Sequence, residues 1–195
     1  KVYVMAGGAP IYVTTWQNYG KKPSGLVTSK QWATVTRYPA DGTYLTAEPS
    51  GRIYRIVGGA PVYISSWDEV GGKQASVTVS DSDVSHAGAS SGVYEHLANH
   101  PSTSLYVTAL PSRTVYQVKG GAAYPITDPT TLASVDASVT IGDDDIAKAG
   151  ASSTSPFQHL KGVITAPAPT ITRATATSKR RHASSTVDVP SRLTW

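Results

Sequence analysis

The sequence predicts an all-β chain built from three diverged repeats, each a three-stranded meander followed by a short helical turn. Three observations predict it. Only 15% of the 195 residues are charged, while Gly (17), Pro (13), Tyr (11), Thr and Val are abundant, which is the balance of strands joined by tight turns. A string of about fifteen residues returns twice along the chain. Cysteine is absent, so disulfides do not hold the fold, and the length suffices for a core of its own in one or two domains.

The first copy is Val2-Tyr3-Val4-Met5-Ala6-Gly7-Gly8-Ala9-Pro10-Ile11-Tyr12-Val13-Thr14-Thr15-Trp16. It returns 51 residues later as Ile53-Tyr54-Arg55-Ile56-Val57-Gly58-Gly59-Ala60-Pro61-Val62-Tyr63-Ile64-Ser65-Ser66-Trp67. After a further 62 residues comes Val115-Tyr116-Gln117-Val118-Lys119-Gly120-Gly121-Ala122-Ala123-Tyr124-Pro125-Ile126. The flanks repeat as well: Tyr44-Leu45-Thr46-Ala47 matches Tyr106-Val107-Thr108-Ala109, and Val77-Thr78-Val79 matches Val139-Thr140-Ile141. The repeats run over about 1–51, 52–113 and 114–166.

Within a repeat, a run of β-branched and aromatic residues from Thr43 to Ala47 predicts a first strand, closed by turn chemistry at Pro49-Ser50-Gly51. Arg52 to Val57 is a second strand. Gly58-Gly59 supplies the positive φ of a tight hairpin, and Pro61 opens a third strand running to Trp67. Beyond it, Ser80-Asp81-Ser82-Asp83 and Gly142-Asp143-Asp144-Asp145 read as caps and first-turn acids of short helices over 84–87 and 146–149. The chain opens on a second strand and its last repeat ends on a first strand, Gly162-Val163-Ile164-Thr165-Ala166. Pairing of that strand with Val2–Met5 would close a pseudo-threefold body of trefoil, prism or propeller type; an open array is the alternative. The opening Lys1-Val2-Tyr3-Val4, with no initiator Met and no signal peptide, reads as a processing site or a piece of a longer chain.

Residues 1–166 hold equal numbers of Lys/Arg and Asp/Glu, 12 of each, so the net charge of +4 resides in 167–195. That Pro/Ser/Thr-rich stretch with Lys179-Arg180-Arg181 is expected to be a basic tail or linker, with Val187 to Trp195 able to dock back as a strand. A neutral body argues against nucleic acid as partner, and no apolar run is long enough for membrane insertion as a helix.

Alternation in the third strand places Tyr12, Thr14 and Trp16 on one face, and Tyr63, Ser65 and Trp67 on the matching face of the next copy. Rings interleaved with hydroxyls suit sugars, since rings stack on apolar sugar faces while hydroxyls bond the edges; Asp68 or Asn18 would add a polar anchor. The same rings would serve equally as packing between repeats. The acid clusters offer oxygen ligands to calcium but lack the loop pattern of such a site, and capping accounts for them. His96 and His159 occupy matching positions without partners at zinc spacing. No nucleophile motif or phosphate-cradling loop is present, and acids multiplied by repetition suit structure better than a unique catalytic centre. The expectation is a non-catalytic protein that needs no cofactor.

The Gly-Gly-Ala-Pro-(Ile/Val)-Tyr-(Val/Ile)-(Ser/Thr)-(Ser/Thr)-Trp string resembles a repeat of about fifty residues found in secreted actinobacterial cell-wall-associated proteins. It is sharp in the first two copies and degenerate in the third, where Pro125 and Pro129 replace the Tyr and Trp. The resemblance implies an exported attachment module at the cell surface. Taken with the aromatic faces, it points to a secreted module binding a glycan or cell-wall polymer through Tyr12, Thr14, Trp16, Tyr63, Ser65, Trp67 and Asp68. A structural protein whose sheet edges pair with other copies of itself is the alternative.

Overall fold

The computed structural model describes residues 1–20, 22–102, 104–135, 139–152 and 155–165. The tail expected over 167–195, and the docking of Val187 to Trp195, lie outside the described residues. The fold is mostly β-sheet with a few short helices. Its strands are β1 (Tyr3–Ala6), β2 (Ala9–Tyr12), β3 (Tyr44–Glu48), β4 (Arg52–Val57), β5 (Ala60–Ile64), β6 (Ser76–Ser80), β7 (Leu105–Leu110), β8 (Val115–Lys119), β9 (Ala122–Pro125) and β10 (Val139–Gly142). The short helices are α1 (Trp16–Tyr19), α2 (Ser29–Trp32), α3 (Asp81–Ser85), α4 (Pro129–Ala133) and α5 (Asp143–Ala147).

The Gly-Gly hairpins are where the sequence places them. Gly58 and Gly59 have φ of 55° and 81°, the two positive values that a two-residue turn needs to match the twist of its strands. A side chain at Gly59 would also meet the Tyr38 ring at 2.8 Å. The meander therefore forms: β3, β4 and β5 are antiparallel neighbours, as are β7, β8 and β9.

Each four-stranded sheet carries one strand more than the meander. β6 runs parallel to β3 in the order β5-β4-β3-β6, and β10 runs parallel to β7 in the order β10-β7-β8-β9. These added strands hold the matched Val77-Thr78-Val79 and Val139-Thr140-Ile141. Val79 and Ile141 are wholly buried, which is the reason such short runs pair. Among the described residues the first sheet consists of β1 and β2.

Apolar residues form two cores. One gathers Ala6 and Ile11 of the first hairpin with Leu45, Ala47, Tyr54, Ile56, Val79, Val84 and Leu97. The other joins Val57, Val62 and Ile64 to Val107, Ala109, Val118, Ile141, Ile146 and Leu160. Each core thus spans one sheet and the next, so that the sheets are held together by the same burial that stabilises them. The described strands form no closed barrel. Val163 bridges Ala123 in parallel, and Ile164 N–H donates to the Ala123 carbonyl at 2.9 Å, so this segment lies beside β9 and not against Val2–Met5 as expected for closure.

The third strand is shorter than its alternation suggested. β2 ends at Tyr12 and β5 at Ile64, and helical turns begin at Trp16 and Trp67. Ser66 adopts an extended φ of −150° and its hydroxyl accepts from Asp68 N–H, which caps the turn and ends the strand.

Candidate functional site

The end of each third strand is the point where a sheet meets its successor, and there the sequence-predicted hydroxyls turn inward. Thr14 Oγ1 donates to Asp83 Oδ1 at 3.1 Å and lies 3.0 Å from Ser80 Oγ. In the matching place Ser65 Oγ donates to Asp145 Oδ1 at 2.5 Å, joined by Ser65 N–H at 3.1 Å. Asp83 and Asp145 are each 2% exposed. A buried carboxylate is tolerated only when its oxygens are filled, and these are. Ser80 N–H donates to Asp83 Oδ2 at 2.9 Å, and Gly142 N–H donates to Asp145 Oδ2 at 3.2 Å, so each aspartate caps its own helix and accepts from the preceding sheet.

The second acceptor position differs between the two junctions. Tyr19 OH donates to Asp83 Oδ2 at 2.9 Å; burial and the adjacent carboxylate hold that phenol well above its ordinary pKa. At the other junction Glu69 takes this place. Its Oε2 is buried and accepts no N–H or O–H, and it faces Asp145 across the space left by the missing side chain of Gly142. A methyl built at Gly142 would overlap Glu69 Oε2 and come within 2.7 Å of Asp145 Oδ2. Burial and the neighbouring Asp145 push the Glu69 carboxyl up to about 7. The same surroundings bias the Glu69 carboxyl toward its protonated form. Burial also raises Asp145.

The aromatic residues fall into two groups. Trp67 leans on the core, its ring 5.2 Å from Tyr44, and the Arg55 guanidinium sits 4.7 Å from the centre of the same tyrosine ring. Arg55 Nη1 donates onward to the Thr140 carbonyl at 2.6 Å, which ties β4 to β10. Tyr63 packs edge-on against Tyr54 and Phe157. Asp68 is exposed beside the turn that Ser66 caps. Tyr12 and Trp16 are different. Trp16 is 46% exposed, and half-buried Tyr12 belongs to a chain of rings running Trp32, Tyr3, Tyr12, Tyr94, His86. The Tyr12 and Tyr94 rings meet at 5.7 Å, and His86 stacks on Tyr94 at 4.3 Å. Beneath Tyr12 and Tyr94 is a cleft of about 10 Å³, floored by Ile11 and Leu97, which admits only about one water-sized group. β2 ends at Tyr12, Thr14 is taken up by Asp83, and Trp16 opens a helical turn. The side chain of Asn18 is outside the described residues.

Asp81 and Asp143 pin turns: Ser50 N–H and Oγ donate to Asp81 at 3.1 and 2.5 Å, and Ser112 N–H and Oγ donate to Asp143 at 2.8 and 2.6 Å. The two matched histidines share a role. His96 Nδ1 donates to the Arg37 carbonyl and His159 Nδ1 to the Asn99 carbonyl, both at 2.8 Å. His159 is 1% exposed, and burial lowers its pKa to about 4. His86 Nδ1 lies 2.7 Å from the Ser82 carbonyl, so that nitrogen carries a proton and is not a base for the adjacent Ser85.

Sequence reasoning read the aspartates as caps and missed that Asp83 and Asp145 are also the acceptors between sheets. Their burial alone carries that role, and no local pattern signals it. The turn at Trp67, which the sequence reading ran through as strand, carried a signal that went unread: Ser66-Trp67-Asp68-Glu69 has the Ser-x-x-Glu form of a helix start. No family model, curated protein or solved structure matches this chain.

Proposed function

We propose that the chain is a non-catalytic, exported repeat module that binds a glycan or cell-wall polymer, as the resemblance of its Gly-Gly-Ala-Pro strings to actinobacterial surface repeats implies. The matching order of the two four-stranded sheets supports the repeat reading, with the first hairpin as a third, shorter copy. One observation carries the binding assignment: the half-exposed chain of rings through Tyr12, Tyr94 and His86. A sugar ring would lie across Tyr12 and Tyr94, since the cleft between them is too small to admit it, and its hydroxyls would bond the phenol oxygens and His86. The 46% exposed Trp16 would offer a second stacking surface. Thr14, Ser65, Tyr63 and Trp67 have no part in this contact, being engaged within the fold.

The test is binding to a glycan array and to insoluble bacterial cell wall by the wild type and by Tyr12→Ala/Tyr94→Ala. Retention on one polymer that falls at least tenfold in a variant of unchanged near-UV spectrum supports the assignment. Absence of wild-type binding to every glycan overturns it.

A further inference from the structure

The two sheet junctions carry matching ring settings. At the first, Tyr12 meets Tyr94 edge-on at 5.7 Å and His86 stacks on Tyr94 at 4.3 Å. At the second, Tyr63 meets Phe157 edge-on at 4.9 Å, and the Lys148 ammonium lies 5.3 Å from the centre of the Phe157 ring. Backbone bonds fix the correspondence: Gly88 N–H donates to the Leu97 carbonyl and Gly150 N–H to the Leu160 carbonyl, both at 2.7 Å. Counting back from these leucines, Tyr94 stands where Phe157 does, and Glu95 where Gln158 does. Tyr63 is half-buried in a sheet of four strands just as Tyr12 is in the first hairpin, so this exposure belongs to the repeat and not to the number of strands.

The settings differ in charge. At the second, the chain places an ammonium of its own on the ring, with Lys148 paired to Asp144 at 3.7 Å and the neutral Gln158 beside it in sequence to Phe157. At the first, the base is an imidazole and the matching neighbour is an acid. Glu95 lies between Tyr94 and His96, whose rings pack on Tyr12 and Trp32, and Tyr3 joins that same Tyr12 to that same Trp32. The half-buried Glu95 therefore flanks the run of rings. Burial, Tyr12 and Glu95, in that order, hold the Tyr3 phenol above its ordinary pKa, so the carboxylate acts on the rings it flanks. Among the described residues no ion pair reaches Glu95. Arg37, whose carbonyl accepts from His96, keeps its guanidinium 5.2 Å from the centre of the Tyr38 ring.

We propose that Glu95 makes the Tyr12–Tyr94 surface selective for a sugar bearing a positively charged amino group, a hexosamine whose nitrogen is not acylated. The inference rests on the glycan reading above and adds the charge of the sugar. The apolar face of the sugar lies across Tyr12 and Tyr94, and its ammonium meets the Glu95 carboxylate, bringing to the first setting the cation that Lys148 brings to the second. N-acetylation takes that charge away and leaves the carboxylate without its partner.

The probes are a glucosamine tetramer with free amines and the same tetramer fully N-acetylated, titrated calorimetrically at a pH that keeps the amines protonated. The wild type is expected to bind the free-amine tetramer about tenfold more tightly, as a charge-assisted contact gives. Glu95→Gln copies the residue at the matching position of the second junction, so the fold accommodates it. That variant is expected to bring the two tetramers to equal affinity by weakening the free-amine one, whereas Tyr12→Ala/Tyr94→Ala is expected to weaken both. The ratio of the two affinities is a readout that a merely structural role of Glu95 would not move. Equal wild-type affinities, or an equal loss of both in Glu95→Gln, overturn the charge selection and leave the glycan reading standing. Tetralysine competing as well as the free-amine tetramer overturns the sugar as the source of the amine. Binding to neither tetramer overturns the amino-sugar assignment, and the wider glycan array decides separately whether the glycan reading falls with it.

Discussion

The hydroxyl of Ser65 and the carboxylate of Asp145, 80 residues apart, meet at 2.5 Å where the second sheet hands over to the third. Thr14 and Asp83 hold the same relation at 3.1 Å one sheet earlier. Each aspartate therefore does two things at once: it caps the helix it begins and it fastens the sheet before it. Helix start and sheet junction form together, which gives cooperativity to a series of sheets that would otherwise share only apolar contact.

Asp83 is the firmer test because its three donors are all defined. Asp83→Ala leaves the buried Ser80 N–H and Tyr19 OH without their acceptor, removes the partner of Thr14 OH as well, and is expected to cost about 3 kcal/mol in urea unfolding. Tyr19→Phe removes one donor and is expected to cost about 1 kcal/mol. Equal losses in the two variants would refute a shared acceptor.

At the second junction the side chain absent from Gly142 is what accommodates Glu69. Gly142 has an ordinary φ of −78°, so the backbone would accept alanine there and the cost is one of space. Gly142→Ala is expected to lower the unfolding midpoint, and Glu69→Ala on the same chain to restore most of it. A double-mutant cycle without coupling would separate the two residues.

The two predicted tryptophan faces divide by packing. Trp67→Ala is expected to cost about 2 kcal/mol, because it strips the Tyr44 ring and the adjoining core. Trp16→Ala, at a position 46% exposed, is expected to cost less than about 1 kcal/mol. Acrylamide should quench the emission that Trp16→Phe removes more strongly than that removed by Trp67→Phe.

How far the sequence carried these assignments depends on the range of the interaction. The Gly-Gly hairpins and the Arg52–Val57 strand are local and were legible residue by residue. The parallel strands β6 and β10 were visible as repeats of Val-Thr-Val and Val-Thr-Ile, yet their partners lie about thirty residues away and no local pattern names them. The alternation drawn through Tyr12, Thr14 and Trp16 ran past the end of β2 to a helical turn that opens at Trp16. The place of the last strand also eluded the sequence: Val163 pairs with Ala123, about forty residues back, and no local pattern names that partner.

The protonated Glu69 gives the second junction a pH dependence with a definite sign. Its folded pKa of about 7 lies above the ordinary value of 4.5, so between those values the folded chain binds the extra proton. The groups facing it are Asp145 and Asp144, which favour the proton, and Lys148, which opposes it. Its contribution to stability is fully present below about pH 4.5 and is lost as pH rises through about 7. Glu69→Gln, which keeps the donor at all pH, is expected to hold a constant melting temperature from that residue across the window. A wild type and Gln variant with parallel profiles would exclude a shared proton.

His159 works in the opposite direction over much of the same range. Burial lowers its pKa to about 4 against the ordinary 6.5, so the unfolded chain takes up a proton first as pH falls. The stability tied to its neutral ring is present above about pH 6.5 and drains away as pH falls toward 4, where the Nδ1–H bond to the Asn99 carbonyl must survive beside a buried cation. Glu69 and His159 therefore pull against each other, and the wild type is expected to show a weaker net dependence than either group alone. Glu69→Gln removes the first influence and should expose the second, giving a chain whose melting temperature rises steadily from pH 4 to 6.5. The His159 ring resonances in the same variant should hold their neutral positions over the upper part of that rise and move only as the pH approaches about 4, and a ring titrating near 6.5 would remove the basis for it.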